Sequence, residues 1–163
     1  MEIIEHATTW VKGEVLQGKI GLSAAILMAI AFLYFANFQQ SFYKGMIIPF
    51  IILQLVLLGY SSYQLIIRPK HIAKLEQIQA QNPQSALEME LTKSQKDDEI
   101  FSKIRIVWAS LLLLSLLGAF LFNNSFYKGM SVGFVIFFIV AYLFDTFLHL
   151  RLKTYLTALF QIQ

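Results

Sequence analysis

The hexapeptide Ser41-Phe42-Tyr43-Lys44-Gly45-Met46 recurs unchanged as Ser125-Phe126-Tyr127-Lys128-Gly129-Met130, an offset of 84 residues. The match extends outward without a gap. Residues 19–79 and 103–163 are identical at 19 of 61 positions, among them Lys19, Ile20, Phe38, Phe50, Ile52, Val56 and a shared Gln-Ile-Gln at 77–79 and 161–163. Apolar bias raises chance identity among Leu and Ile, but it does not reproduce Ser-Phe-Tyr-Lys-Gly-Met. The pattern reads as a tandem duplication.

The duplicated unit is a membrane hairpin. Of 163 residues, 57% are apolar and 14% charged, with a mean hydropathy of +0.61, whereas soluble domains run near half apolar and a quarter charged. Four stretches, about Ile20–Phe38, Gly45–Ile67, Ile104–Phe122 and Gly129–Leu150, have the roughly 20 apolar residues that cross a hydrocarbon core about 30 Å thick. The expected fold is an all-α membrane protein of four transmembrane helices from two tandem parallel two-helix repeats, with cytoplasmic amphipathic helices. Each copy crosses out and back, so both enter in one direction and are related by an axis along the membrane normal. Glu2 and Glu5 stand where a signal peptide needs basic residues, so the first span is expected to remain in the mature chain.

Charge placement orients the hairpins. Lys12, Lys19, Arg68, Lys70, Lys74, Lys93, Lys96, Lys103, Arg105, Arg151 and Lys153 fall in the N-terminal, central and C-terminal segments, and only Lys44 and Lys128 fall between the spans of a hairpin. By the positive-inside rule both termini and the central segment lie in the cytoplasm of a multi-pass protein of the cell (inner) membrane. Glu76, Glu88, Glu90 and Asp97-Asp98-Glu99 interrupt the basic residues, so the expected partners are the lipid bilayer and a second copy or another membrane protein, and not nucleic acid. The two hexapeptides read as short outer turns, with Tyr43 and Tyr127 at headgroup depth and Lys44 and Lys128 snorkelling outward.

Four segments follow: an N-terminal interfacial amphipathic helix over 1–18, a first repeat over 19–79, a cytoplasmic connecting helix over 80–102 and a second repeat over 103–163. Ile72, Leu75 and Ile78 recur at helical spacing after span two, as do Leu156, Leu159 and Ile162 after span four. Asn82-Pro83 breaks the first of these stubs, and Ser85-Ala86-Leu87-Glu88 has the spacing of a capping box for the next helix. The stubs and the connecting helix are expected to bundle, and residues 1–18 to lie along the headgroups. Pro49 is expected in the first turn of span two, where a missing N–H matters little. Gly21, Ala25 and Ala29 form a small-residue stripe suited to close packing or dimerisation.

The chain has no Cys, and its three His, at 6, 71 and 149, are scattered. That excludes disulfides, thiolate chemistry and the common metal motifs, and no phosphate loop, dinucleotide fingerprint or nucleophile elbow is present. No cofactor or metal is expected. Ionisable groups inside spans are functional candidates because desolvating them is costly. Asp145 and His149 qualify, i and i+4 on one face, with Arg105 at the edge of span three. Positions 105 and 145 are equidistant from the hairpin turn, so an Arg105–Asp145 ion pair is expected, and the matching residues of the first copy, Gly21 and Ser61, are uncharged. Gln54, Ser61, Gln64 and Ser115 are candidate lining for a polar cavity near the repeat axis.

Three function classes fit these residues. A non-enzymatic accessory, scaffold or regulatory subunit accounts for nearly uncharged spans without a catalytic motif. An oligomeric transporter or channel for a small or lipophilic solute would need the polar cavity. A lipid-active enzyme would need Asp145 and His149 to work together.

Overall fold

The computed structural model describes residues 2 to 162, all but the turns helical. Met1, at the start of the N-terminal segment, and Gln163, the last residue of the second repeat, lie outside the described residues. Five helices follow in order: α1 (Glu2–Phe35), α2 (Ser41–Ile66), α3 (Arg68–Gln81), α4 (Pro83–Leu121) and α5 (Ser125–Ile162). Four helices are long and apolar enough to cross a membrane: α1, α2 continued by α3, α4, and α5. The chain is a multi-pass membrane protein by that measure. The ends of α1 and α5 that carry the chain termini are called lower here, and the two hairpin turns upper.

The central pair is α2 with α5; α1 packs on α2, and α4 packs on α5. The two hexapeptides make the closest approach. A Cβ on Gly45 would overlap the carbonyl oxygen of Phe126, and a Cβ on Gly129 would overlap that of Phe42. Only glycine lets the two backbones meet there, and residues 42 and 45 meet residues 126 and 129 reciprocally. One turn below, Pro49 is fully buried against Gly133, again 84 residues away.

Several expectations are revised at this level. The hexapeptides are not turns: Ser41 and Ser125 open α2 and α5, so Tyr43, Lys44, Tyr127 and Lys128 stand on their first helical turns. The turns lie just before them, and Asn124 caps α5 by accepting from the Phe126 N–H at 2.9 Å. Span one ends as helix at Phe35, three residues early, because Ala36 to Gln40 make the connection. Pro49 sits well inside α2, which begins eight residues earlier than it, so the Gly45 carbonyl loses its i+4 donor.

The lower ends are continuous with the spans. Residues 2–18 form no separate helix; they continue into span one, and Ile3, Ala7, Trp10 and Val11 are buried against Leu75, Leu87, Leu91, Leu152, Tyr155 and Leu159. Their apolar stripe is thus covered by protein and is not free to lie on headgroups. α3 is set off from α2 at Ile67 by Pro69, which follows in its first turn. α4 starts at Pro83, not at Ser85, with the Asn82 side chain accepting from the Ser85 N–H at 3.1 Å. Of the stripe of Gly21, Ala25 and Ala29, the first two are buried within the chain, Gly21 directly against Ser61, and so serve internal packing, while Ala29 is partly exposed.

Candidate functional site

Charged side chains of the second hairpin meet where α4 and α5 leave the spans. The expected Arg105–Asp145 ion pair is not formed. Arg105 instead contacts α5 on either side of Asp145, with Nη1 3.2 Å from His149 Nδ1 and Nη2 donating to the Tyr142 hydroxyl at 3.4 Å. Asp145 accepts a short hydrogen bond from the Trp108 indole N–H. Trp108 stands one turn above Arg105 on α4 and takes the carboxylate first. A guanidinium only donates, so Nδ1 of His149 accepts and its Nε2 carries the proton donated to Asp98 Oδ1 at 2.6 Å. Arg105, His149 and Asp98 therefore form a chain, with Phe101 stacked on the imidazole at 6.0 Å. Asp145 and His149, i and i+4 on one face of α5, have different partners. Among the described residues no three of His, Asp and Glu converge as a metal-binding set.

Beside Asp145 a cavity of about 360 Å³ opens between α2, α4 and α5. Its upper walls are Leu53, Leu57, Trp108 and Phe137, and its lower edge is Arg68 and Asp97. Along α4 it runs from Asp97 to Trp108, roughly 16 Å at the helical rise. The side chains expected to line a polar cavity are elsewhere. Ser61 and Gln64 are fully buried, and Gln64 Nε2 donates to Glu14 Oε2 at 3.4 Å. Ser115 turns back to the carbonyl of Leu111 at 2.8 Å, and the Gln54 amide nitrogen is buried without a partner. None of the four lines this cavity.

A second cleft, of about 280 Å³, lies between α1 and α5. Its wall residues Gln17, Ile20, Val140 and Phe144 stand 84 positions from Phe101, Ile104, Val56 and Tyr60 in the wall of the first. The lower edges differ in charge. In the second cleft Arg151 Nη1 donates to the Gly13 carbonyl at 2.5 Å and to Gln17 Oε1 at 2.8 Å, while Gln17 Nε2 donates to the Phe144 carbonyl at 3.0 Å. In the first cleft the residue 84 positions after Gly13 is the carboxylate Asp97, and the place of Arg151 falls at the uncharged Ile67, next to Arg68, which lines the edge but pairs with Glu14.

Below the spans lies a polar layer that sequence reasoning missed. Glu14 and Glu90 are both buried. Glu14 meets Arg68 Nε at 3.3 Å, and the Arg68 guanidinium covers Trp10 at 4.7 Å from the ring centre. Glu90 takes His71 Nε2 at 2.9 Å and the Tyr155 hydroxyl at 2.9 Å, while Lys93 stands 3.9 Å away and also covers Trp10. Tyr155 stacks flat on Trp10 at 5.1 Å. Burial pushes the Glu14 carboxyl above its usual range, and Arg68 and Gln64 only partly offset it. Burial acts the same way on Glu90, but hydrogen bonding and charge from His71 and Lys93, with the Tyr155 hydroxyl, together outweigh it and hold that carboxyl low. One signal was available: Glu14 lies on the 3–4 spaced stripe of Ala7, Trp10, Gln17 and Gly21, and Glu90 on that of Ala86, Leu87 and Ser94.

No family model, no curated protein and no solved structure matches this chain.

Proposed function

We propose that this chain is a non-enzymatic accessory, scaffold or regulatory subunit of the cell (inner) membrane, with its lower helical layer in the cytoplasm as the surface for a partner or a second copy. Two parallel copies, residues 19–79 and 103–163, build it; the reciprocal meeting of the two hexapeptides is what an axis along the membrane normal requires. The Lys and Arg distribution supports the orientation.

One observation carries the functional reading. Gln54, Ser61, Gln64 and Ser115, the side chains a hydrophilic path through the spans would need, are taken up singly in packing and line no common cavity. Such an interior favours anchoring and binding over conduction. The lower layer, by contrast, is ordered by buried hydrogen bonds and stacked rings, and a rigid helical face suits partner recognition, because little freedom is lost on binding. The enzyme reading is the least supported, since His149 has both ring nitrogens engaged away from Asp145.

Extraction in mild detergent with cross-linking tests this. The expected result is a defined partner or homo-oligomer joined through the lower layer; recovery of a lone chain that conducts solutes in liposomes would overturn it and favour the transporter reading. Because the chain has no Cys, single cysteines at Lys44, Lys128 and Lys74 report orientation directly. Labelling of the first two from outside and of the third only from inside is expected.

A further inference from the structure

Asp145 is a carboxylate inside a span, and the one partner the structure gives it is the neutral indole N–H of Trp108. Among the described residues neither it nor Asp97 has a basic side chain within ion-pair distance. The nearby cations are committed elsewhere: Arg68 to Glu14, Lys93 to Glu90, Arg105 to His149 and Tyr142. A carboxylate held in a low-dielectric site without a counter-charge is costly, so such groups are found paired.

The other cleft indicates what is missing. There an internal cation, Arg151, occupies the lower edge and satisfies Gly13 and Gln17. The first cleft has two carboxylates, and its one lining cation, Arg68, is paired with Glu14 and not with either of them. We infer that the cleft between α2, α4 and α5 binds a lipophilic organic cation, an ammonium or phosphonium centre on an apolar body, with Asp145 as its counter-ion.

The lining fits that chemistry in three ways. Tyr60, Phe101, Trp108, Phe137 and Phe144 all face the cavity, and aromatic faces attract cations that carry little hydration. The volume of about 360 Å³ falls in the range of small-molecule pockets, roughly 300–1,000 Å³. The oxygen donors are too few for a hard metal ion: two carboxylates and one phenol are present, whereas Ca²⁺ or Mg²⁺ takes six or more ligands. Half-exposed Val56 and Ile100 stand at the rim, so a ligand dissolved in the bilayer can enter sideways near headgroup depth. This inference stands apart from the partner reading, since ligand binding and partner recovery are separate measurements.

Calorimetric titration of the full chain in zwitterionic lipid nanodiscs, with tetraphenylphosphonium as the cation and triphenylphosphine oxide as a neutral compound of similar shape, tests it. Wild type is expected to bind the cation at least tenfold more tightly than the oxide. Asp145→Asn should weaken the cation at least tenfold and leave the oxide unchanged, Asp97→Asn should weaken it a few-fold, and Ala141→Phe, which fills the cavity, should abolish both. Asp145→Glu should retain the preference, which guards against a loss that reflects misfolding alone. No binding to wild type, equal binding of oxide and cation, or an Asp145→Asn protein that binds the cation as wild type does would each overturn the inference.

Discussion

The two clefts share a wall plan and differ in charge. In the one between α1 and α5, Arg151, Gln17 and the Gly13 and Phe144 carbonyls close a hydrogen-bonded set. In the one between α2, α4 and α5, Asp145 and Asp97 stand at a larger cavity with no basic partner. At the corresponding level of the first hairpin, Gly21 and Ser61 are pressed together and leave no room. A single packing scheme therefore carries three electrostatic solutions: a sealed small-residue contact, a cleft closed by the hydrogen bonds of its own cation and an open acidic one. Closed polar sets stabilise the fold, and the open one is the place where a ligand changes the balance.

The largest expected effect comes from forcing the sealed contact to resemble the acidic cleft. Ser61→Asp places an unpaired carboxylate at a site with no solvent exposure, at a cost of about 3–5 kcal/mol. Loss of the monodisperse species in detergent chromatography is the expected readout; a folded Ser61→Asp protein would mean that charge at this depth is indifferent and would dissolve the contrast. Emptying the cleft that Arg151 closes comes next. Arg151→Met leaves Gln17 and the Gly13 carbonyl without their donor, and thermal unfolding should report a loss of about 2–3 kcal/mol.

The third prediction sharpens the comparison through pH. Glu90 has its folded pKa held below the ordinary 4.5, so the stability it contributes is present above 4.5 and is lost as pH falls through the folded value. Glu14 has its folded pKa raised above 4.5, so its ionised form costs stability at neutral pH, and that cost is relieved as pH falls through the raised value toward 4.5. Glu90→Gln should therefore destabilise by about 2 kcal/mol at neutral pH and flatten the acid limb of the stability profile. Glu14→Gln should be neutral or mildly stabilising at pH 7, with that gain vanishing on acidification. Unfolding midpoints of the two variants between pH 2 and 8 check both signs. The smallest effect belongs to the open cleft: Asp145→Asn should shift stability by no more than about 1 kcal/mol in the absence of ligand, in the stabilising direction, because a lone charge is removed while an acceptor for Trp108 remains.

Much of the architecture was legible in the chain because it rests on local and periodic signals. Runs of about 20 apolar residues specify spans whatever their neighbours, and the break after Gln81 follows from Asn82-Pro83, which caps one helix and cannot continue the other. The polar assignments fared differently. Ser61 and Gln64, read as cavity lining, are packed away, and the Arg105–Asp145 pair is replaced by Arg105–His149 and Trp108–Asp145. Equal depth along two helices does not fix which side chains face each other. Rotation about each helix axis does, and that rotation is set by the packing of the whole bundle.

By itself, then, the sequence determined that four apolar helices exist, about where the two hairpins turn, and which residues correspond across the 84-residue offset, because propensity, hydropathy and spacing are properties of short stretches. Tertiary structure alone decided that Gly45 and Gly129 meet the opposite backbones, that residues 2–18 continue the first span into a buried layer around Trp10, and that Asp145 faces a cavity without a cation paired to it. Those outcomes depend on distant side chains competing for the same partners, and that competition is resolved only when the helices are packed.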